Sequence, residues 1–302
     1  MKTNLSYDQY IPTRILFGAG QLNNLHAQPM LGKRALIVIS NGKSTRDNGY
    51  LTRTEEQLHR AGVETEVFDG IMPNPTVANS IAGANAAREY KADFLVALGG
   101  GSVMDCSKAI ALLATNEGDL WDYVAIGSGK GQLIQNRPLP IIAITTTAGT
   151  GSETDGCGVI TKEETNEKAF IMHPSLFPFL AIVDPELMLS VPPRFTAFQG
   201  FDALFHSVEG FIAASANLAS DMNAREAIRN IARYLPRAVK DGSDLEARTC
   251  VAFANTLSGA VMTLTLLTSE HGLEHALSAY HPNLPHGAGL IMISKAYFSY
   301  FV

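Results

Sequence analysis

Apolar and polar positions along this chain follow two successive grammars. Over residues 1–190, short unbroken apolar runs alternate with amphipathic stretches. Ala35–Ser40 (ALIVIS), Phe94–Leu98 (FLVAL), Pro140–Ile144 and Leu180–Val183 read as strands buried on both faces, and Glu64–Phe68 reads as a further strand. Thr52–Ala61, the Ala-rich Thr76–Tyr90 and Val103–Leu113 carry helical spacing between them. Strand and helix in alternation predict βαβ units and a parallel sheet. After Val191-Pro192-Pro193 the pattern changes to long helical stretches at Phe195–Ala214, Asp221–Leu235 and Glu246–Leu267, with no strand between them. The proline pair marks the boundary. The expectation is a Rossmann-like α/β domain over residues 1–190 and an all-helical domain over residues 191–302.

Composition narrows the class. The chain has 302 residues, 46% of them hydrophobic and 17% charged, enough for two buried cores and too apolar for disorder. A net charge of -6 argues against a nucleic-acid partner. The first residues hold no apolar run of signal-peptide type, and Leu257–Thr268 is broken by Ser and Thr and falls short of the ~20 residues that a membrane span needs. Cys106, Cys157 and Cys250 are odd in number and widely spaced, which indicates neither a disulfide framework nor a cysteine-ligated zinc. A soluble cytoplasmic protein without membrane association is expected.

Two loops follow strands and are polar enough to hold an anion. FLVAL runs into Gly99-Gly100-Gly101-Ser102 and then a helix, so that backbone N–H groups and a helix N-terminus face the same point. Ser102 with Asp105 also fits a capping box, and GGGS alone leaves the plain-turn reading open. Pro140–Ile144 ends in TTTAGTGSE (Thr145–Glu153), where five hydroxyls and two glycines are costly to order unless something binds there. Ligands of open α/β sheets sit beyond the carboxyl ends of strands, so the pair of loops predicts a nucleotide site. The first strand ends Ser40-Asn41-Gly42-Lys43-Ser44 with no acid at its tip. Ser40, Gly42, Lys43 and Ser44 therefore suit a 2′-phosphate, and NADP is expected over NAD.

Further along lies a concentration of metal-ligating side chains. Four of the eight histidines fall in HGLEHALSAYHPNLPHG, at His271, His275, His281 and His286. Asp202 and His206 are spaced i,i+4, as are His271 and His275, which puts each pair on one helix face. Imidazoles with one carboxylate suit iron, zinc and related ions. The plainer alternatives are a surface Asp–His pair and, for His281, a loop residue before Pro282. The apolar flanks Phe201, Leu204, Phe205 and Val208 argue that the Asp202 helix is buried and its polar groups need partners.

These strings together resemble the iron-containing (group III) alcohol dehydrogenases, and within them the butanol and 1,3-propanediol dehydrogenase types. The matches are Pro12-Thr13 with Phe17-Gly18, GGGSVMDCSKA at Gly99–Ala109, TTTAGTGSE, VDPEL at Val183–Leu187, FDALFHSVEGF at Phe201–Phe211 and the histidine string ending at Gly287. The resemblance implies that Asp202, His206, His271 and His286 ligate Fe²⁺ or Zn²⁺, with His275 beside the metal as a catalytic proton relay. It implies that Gly100, Gly101 and Ser102, with Asp105 in the same helix, hold the pyrophosphate. Thr146, Thr147 and Thr150 would line the nicotinamide side, with Lys168 near the ribose. The implied reaction interconverts a small primary alcohol and its aldehyde by hydride transfer at nicotinamide C4, in a homodimer or higher homo-oligomer. Family members continue through further helices, so the second domain is expected to be C-terminally incomplete.

Two rival enzymes share parts of the pattern. His271-Gly272-Leu273-Glu274-His275 formally matches H-x-x-E-H, the inverted zinc-peptidase motif with Glu274 as general base, but leaves both polar loops unexplained. A metal-dependent lyase of the dehydroquinate-synthase type resembles the whole architecture more closely.

Overall fold

The computed structural model describes residues 4–301; the outermost positions of both sequence-drawn domains, residues 1–3 and 302, lie outside them. The strands are β1 (Arg14–Phe17), β2 (Arg34–Ser40), β3 (Glu64–Ile71), β4 (Phe94–Gly99), β5 (Ile141–Thr145), β6 (Cys157–Lys162), β7 (Glu167–Met172) and β8 (Leu180–Val183). The helices are α1 (Ser44–Asp47), α2 (Tyr50–Arg60), α3 (Val77–Tyr90), α4 (Gly101–Thr115), α5 (Pro193–Ile212), α6 (Leu218–Lys240), α7 (Leu245–Thr265), α8 (Glu270–Tyr280) and α9 (His286–Phe298).

By contact the chain separates into two units. One comprises Pro12–Thr146 and Gly156–Leu187; the other gathers the helices from Met188 onward, the segment ending at Ile11, and Thr147–Asp155. That last segment follows directly on a strand of the first unit, yet it packs with the helices.

In the first unit six strands form a wholly parallel sheet in the order β1-β8-β5-β4-β2-β3. Alternate residues of its central strands serve different cores. Leu36, Val38, Leu95 and Ala97 pack on one face with Ala84 of α3 and Ile110 of α4. Ala35, Ile37, Ile39, Val96 and Leu98 pack on the other with Leu51 and Leu58 of α2. Both faces are covered, which is why these strands read as continuous apolar runs. The chain runs outward from β2 to β3, then crosses back to β4 on the other side of β2. The strand order therefore reverses between β2 and β4, and the crevice outside their carboxyl ends is where such sheets bind ligands. An antiparallel hairpin, β6–β7, stands apart from the sheet.

The second unit is helical, as the long periodic stretches predict. Pro193 occupies the first turn of α5, where its missing N–H costs no hydrogen bond. Asn217 and Ser220 form a capping box at α6, and Asp244 caps α7 through the Ala247 N–H. Among the described residues no single helix is long and apolar enough to cross a membrane.

Candidate metal centre and dinucleotide loops

Helix α5 brings Asp202 and His206 to its buried face, where they are 4% and 6% exposed. This rules out a solvated surface pair. Asp202 Oδ1 lies 3.2 Å from His206 Nδ1, 3.4 Å from His271 Nε2 and 3.6 Å from His286 Nε2. One carboxylate oxygen thus faces a nitrogen from each of three imidazoles, supplied by α5, α8 and α9. Donor atoms of Asp202, His271 and His286 lie within 4.8 Å of one another. His206 does not join that mutual set but stacks on His271 with ring centroids 4.0 Å apart. Its Nδ1 makes no hydrogen bond despite the nearby carboxylate. Two donors that approach without sharing a hydrogen are disposed as ligands around a common third atom. Ligands of a tetrahedral ion at its usual 2.0–2.1 Å are about 3.3 Å apart, so the donor set fits a divalent metal.

Space around Asp202 is set by Gly149. A Cβ there would come within 3.0 Å of Asp202 Oδ2 and 3.1 Å of the Gln199 backbone.

The electrostatics suit the same reading. Burial alone would raise the Asp202 carboxyl, but the surrounding imidazoles of His206, His286 and His271 hold it well below the ordinary range. His206 is pushed down to about 3 by burial and by the neighbouring imidazoles, against the pull of Asp202. It is therefore neutral, the form that donates a lone pair. His271 is raised to about 9, because hydrogen bonds to Asp202 and Glu209 outweigh its burial, so without metal it is the imidazolium and a bound ion would displace its Nε2 proton.

Two further carboxylates stand behind these rings. Glu209, wholly buried, accepts from His271 Nδ1 and from the backbone N–H groups of Glu270 (3.0 Å) and His271 (3.2 Å). The Thr268 hydroxyl completes its shell at 2.6 Å. Glu274, also wholly buried, accepts from His286 Nδ1. It is engaged with a histidine rather than poised to activate water, which removes the peptidase reading of H-x-x-E-H. Glu209 is not among the residues that the sequence motifs single out. Its signal is the spacing of Asp202, His206 and Glu209 at i, i+4 and i+7, one stripe of α5. Glu270 lies beside Glu209 with neither carboxyl oxygen hydrogen-bonded. Burial and the charge of Glu209 push it up to about 8.

His275 is half-buried on α8, its ring 5.5 Å from that of His286. His281 is exposed at the C-terminal end of the same helix, in keeping with a structural role.

The dinucleotide residues divide between the units. In the first, Gly99 of β4 pairs in register with Thr145 of β5, and the Thr146 N–H donates to the Gly99 carbonyl at 3.0 Å. The two loops therefore leave adjacent strands at the same level. Helix α4 starts earlier than the Ser102–Asp105 capping box requires. Gly100 is the N-cap, with no side-chain cap, so Ser102 lies inside the first turn. The first-turn N–H groups of Gly101 and Ser102 have no intrahelical acceptor and carry the positive end of the helix dipole. Asp105 accepts from the Val159 N–H at 3.1 Å and so ties α4 to the hairpin. Lys168 of β7 donates to Asn74 Oδ1 at 3.0 Å. Ser40 is part-buried at the end of β2, and Gly42, Lys43 and Ser44 are exposed beyond it.

In the second unit the Thr147–Asp155 segment is held by protein as well as shaped for ligand. Asn255 Oδ1 accepts from the Gly151 N–H at 2.9 Å, while Asn255 Nδ2 and the Thr256 hydroxyl donate to Glu153 at 2.9 and 3.1 Å. Gly151 has φ +64°, and a Cβ there would meet the Gly259 backbone at 2.6 Å. Fastening to α7 thus accounts for part of the loop's polarity that the sequence ascribes to a ligand. Thr147 and Thr150 are part-buried in this loop.

Comparison with known proteins agrees with this construction. Residues 12–185 match the family model for iron-containing alcohol dehydrogenase, and residues 196–300 match that for the C-terminal region of the Fe-containing alcohol dehydrogenase family. The chain is 38% identical over 283 residues to 1,3-propanediol dehydrogenase of Klebsiella pneumoniae, spanning 93% of this chain and 72% of that protein. It is 32% identical over 305 residues to NADH-dependent butanol dehydrogenase A of Clostridium acetobutylicum, spanning 99% of this chain and 76% of that one. Among solved structures it is similar to an archaeal halo-thermophilic alcohol dehydrogenase from a Red Sea brine pool. That likeness has a TM-score of 0.92 at 35% identity and covers 97% of this chain and 74% of the other.

Proposed function

Because the chain belongs to the iron-containing alcohol dehydrogenase family, oxidoreductases acting on alcohols, we propose that Asp202, His206, His271 and His286 hold a divalent metal ion, Fe²⁺ or Zn²⁺, and that the substrate is a small primary alcohol or its aldehyde. The observation that carries the metal assignment is Asp202 Oδ1 facing three imidazole nitrogens at 3.2–3.6 Å. When bound, the ion supplies Lewis acidity toward the substrate oxygen and the nicotinamide supplies or takes the hydride. The protein does the rest. Asp202 offsets cationic charge in a buried site, and His206 stays neutral in its ligand form. Gly100, Gly101 and Ser102 bind the pyrophosphate at the first turn of α4. Thr146, Thr147, Thr150 and Lys168 orient the nicotinamide and ribose. His275 passes a proton between substrate and solvent, a role that its half-buried position and ordinary imidazole chemistry support.

The dinucleotide is expected to be NADP in preference to NAD. The support is the tip of β2, where Ser40, Gly42, Lys43 and Ser44 offer small polar groups and a cation. Asp69 at the end of β3 is ion-paired with Arg46 at 2.8 Å. Against this stands the butanol dehydrogenase relative, whose name gives NADH. A kcat/KM at least as high with NADH as with NADPH overturns the preference. A homodimer or higher homo-oligomer in the cytoplasm completes the proposal. The compartment rests on the cysteine pattern, three in number and widely spaced, which suits a reducing environment.

The test is nicotinamide oxidation with butyraldehyde by protein stripped with a chelator and then reloaded with Fe²⁺ or Zn²⁺. Turnover restored only on reloading supports the metal centre; full turnover by stripped protein overturns it. His275→Ala is expected to lower turnover while metal content stays at one ion per chain, and unchanged turnover removes the proton relay.

A further inference from the structure

We propose that Glu209 and Glu274 are positioning residues of the metal centre, each fixing the proton on Nδ1 of a histidine from another helix so that its Nε2 is the nitrogen presented to the metal beside Asp202. This assignment rests on the metal reading above.

Both carboxylates are wholly buried, and ionised groups are not carried into an interior without a partner. Each finds the same partner atom. Glu209 on α5 meets His271 Nδ1 on α8, and Glu274 on α8 meets His286 Nδ1 on α9. In both rings the opposite nitrogen, Nε2, is the one that faces Asp202 Oδ1. A carboxylate accepts, so Nδ1 carries a hydrogen, and in the neutral imidazole that binds a metal Nε2 is then the nitrogen with the lone pair. The alternative tautomer would set a lone pair against a negative charge and turn an N–H toward the metal position. His206 is the contrast, since it presents Nδ1 itself to Asp202 at 3.2 Å and that atom makes no hydrogen bond.

The two carboxylates form a relay through three helices. Glu209 also secures the start of α8. Ser269, the N-cap residue there, makes no side-chain cap bond, and Glu209 accepts the Glu270 and His271 N–H groups in its place. One carboxylate thereby sets both where α8 begins and how its first imidazole is turned. Glu274 then carries the constraint to α9, where Gly289 leaves it room; a Cβ at 289 would lie 2.8 Å from Glu274 Oε1. Partners of this kind are worth 10–100-fold in metal affinity in metal sites generally.

The test uses the full chain, stripped of metal and titrated with Co²⁺. Binding is read by visible absorption and by competition with a chromophoric chelator. Glu209→Gln and Glu274→Gln are each expected to weaken Co²⁺ binding about 10–100-fold and to shift the visible bands. In a His271→Ala background, Glu209→Gln is expected to have no further effect on affinity, while Glu274→Gln keeps its own. Unchanged affinity in both glutamine variants overturns the assignment. So does an equal loss from Glu209→Gln with and without His271, which would show a helix cap and nothing more. If Glu209→Gln fails to fold, Glu274→Gln, which caps no helix, decides the matter alone. Wild-type protein that binds no Co²⁺, or binds it equally well after Asp202→Ala, overturns the metal reading itself rather than the roles of the two glutamates.

Discussion

Gly289 on α9 sits so close to Glu274 on α8 that a methyl group added at 289 would press on the carboxylate holding His286. The glycine is thus part of the site although it offers no ligand atom.

Gly289→Ala should therefore displace the Glu274 carboxylate and loosen His286. Overpacking of this size costs about 1–3 kcal/mol, measurable as a lowered denaturation midpoint, and it should leave purified protein with less than one metal ion per chain. A variant with wild-type stability and full metal content would mean that Glu274 can move aside without consequence.

Glu270 gives the stability curve a pH dependence of known sign. Its carboxyl is held near 8 in the folded protein against an ordinary value of 4.5. Between those values the unfolded chain has released the proton while the folded chain keeps it, so stability falls as pH rises through the window and levels off above it. In the presence of a chelator, Glu270→Gln should lack this slope, and its gain in Tm over wild type should be larger at pH 8.5 than at pH 5. Parallel curves for the two proteins would show that Glu270 ionises freely.

Cys106 is wholly buried, and burial pushes its thiol up to about 12. The thiolate is the reactive form. Iodoacetamide at pH 8 should leave Cys106 unmodified in native protein, as read by mass spectrometry, and modify it fully in denaturant. Rapid native labelling would show that the core around α4 opens readily.

Glu153→Ala should cost about 1–3 kcal/mol in urea unfolding, since it takes the acceptor from the buried Asn255 amide, while the Thr256 hydroxyl keeps the Ala252 carbonyl at 3.2 Å. A loss of under 0.5 kcal/mol would show that water replaces the carboxylate there.

What could be read from the chain alone followed from burial. Val38, Val96 and Ile142 lie in strands covered on both sides, so their neighbours are apolar too and the runs stand out. Edge strand β1 has Arg14 and Ile15 exposed, and the β6–β7 hairpin is flanked by charge, so neither gives that signal. Helix ends obey the same limit. Ser102 has a capping residue's chemistry, yet α4 starts two residues sooner with Gly100 as its N-cap, and backbone geometry overrides side-chain preference. At the metal centre, ligand-type residues announce themselves by type and spacing. Glu209 does not, because a glutamate on a helix is ordinary until a histidine 62 residues later is seen to lie against it.

The excursion of Thr147–Asp155 into the helical unit bears on how this protein can be recombined. The two halves look modular in sequence, and the proline pair invites a crossover there. A chimera joined at that point would carry one parent's Glu153 strap against the other parent's Asn255 and Thr256. Exchange of the helical half therefore needs the strap to travel with the helices, with crossovers at both ends of Thr147–Asp155 as well as before Met188, and single-junction hybrids should be selected against wherever the parents differ at those three positions.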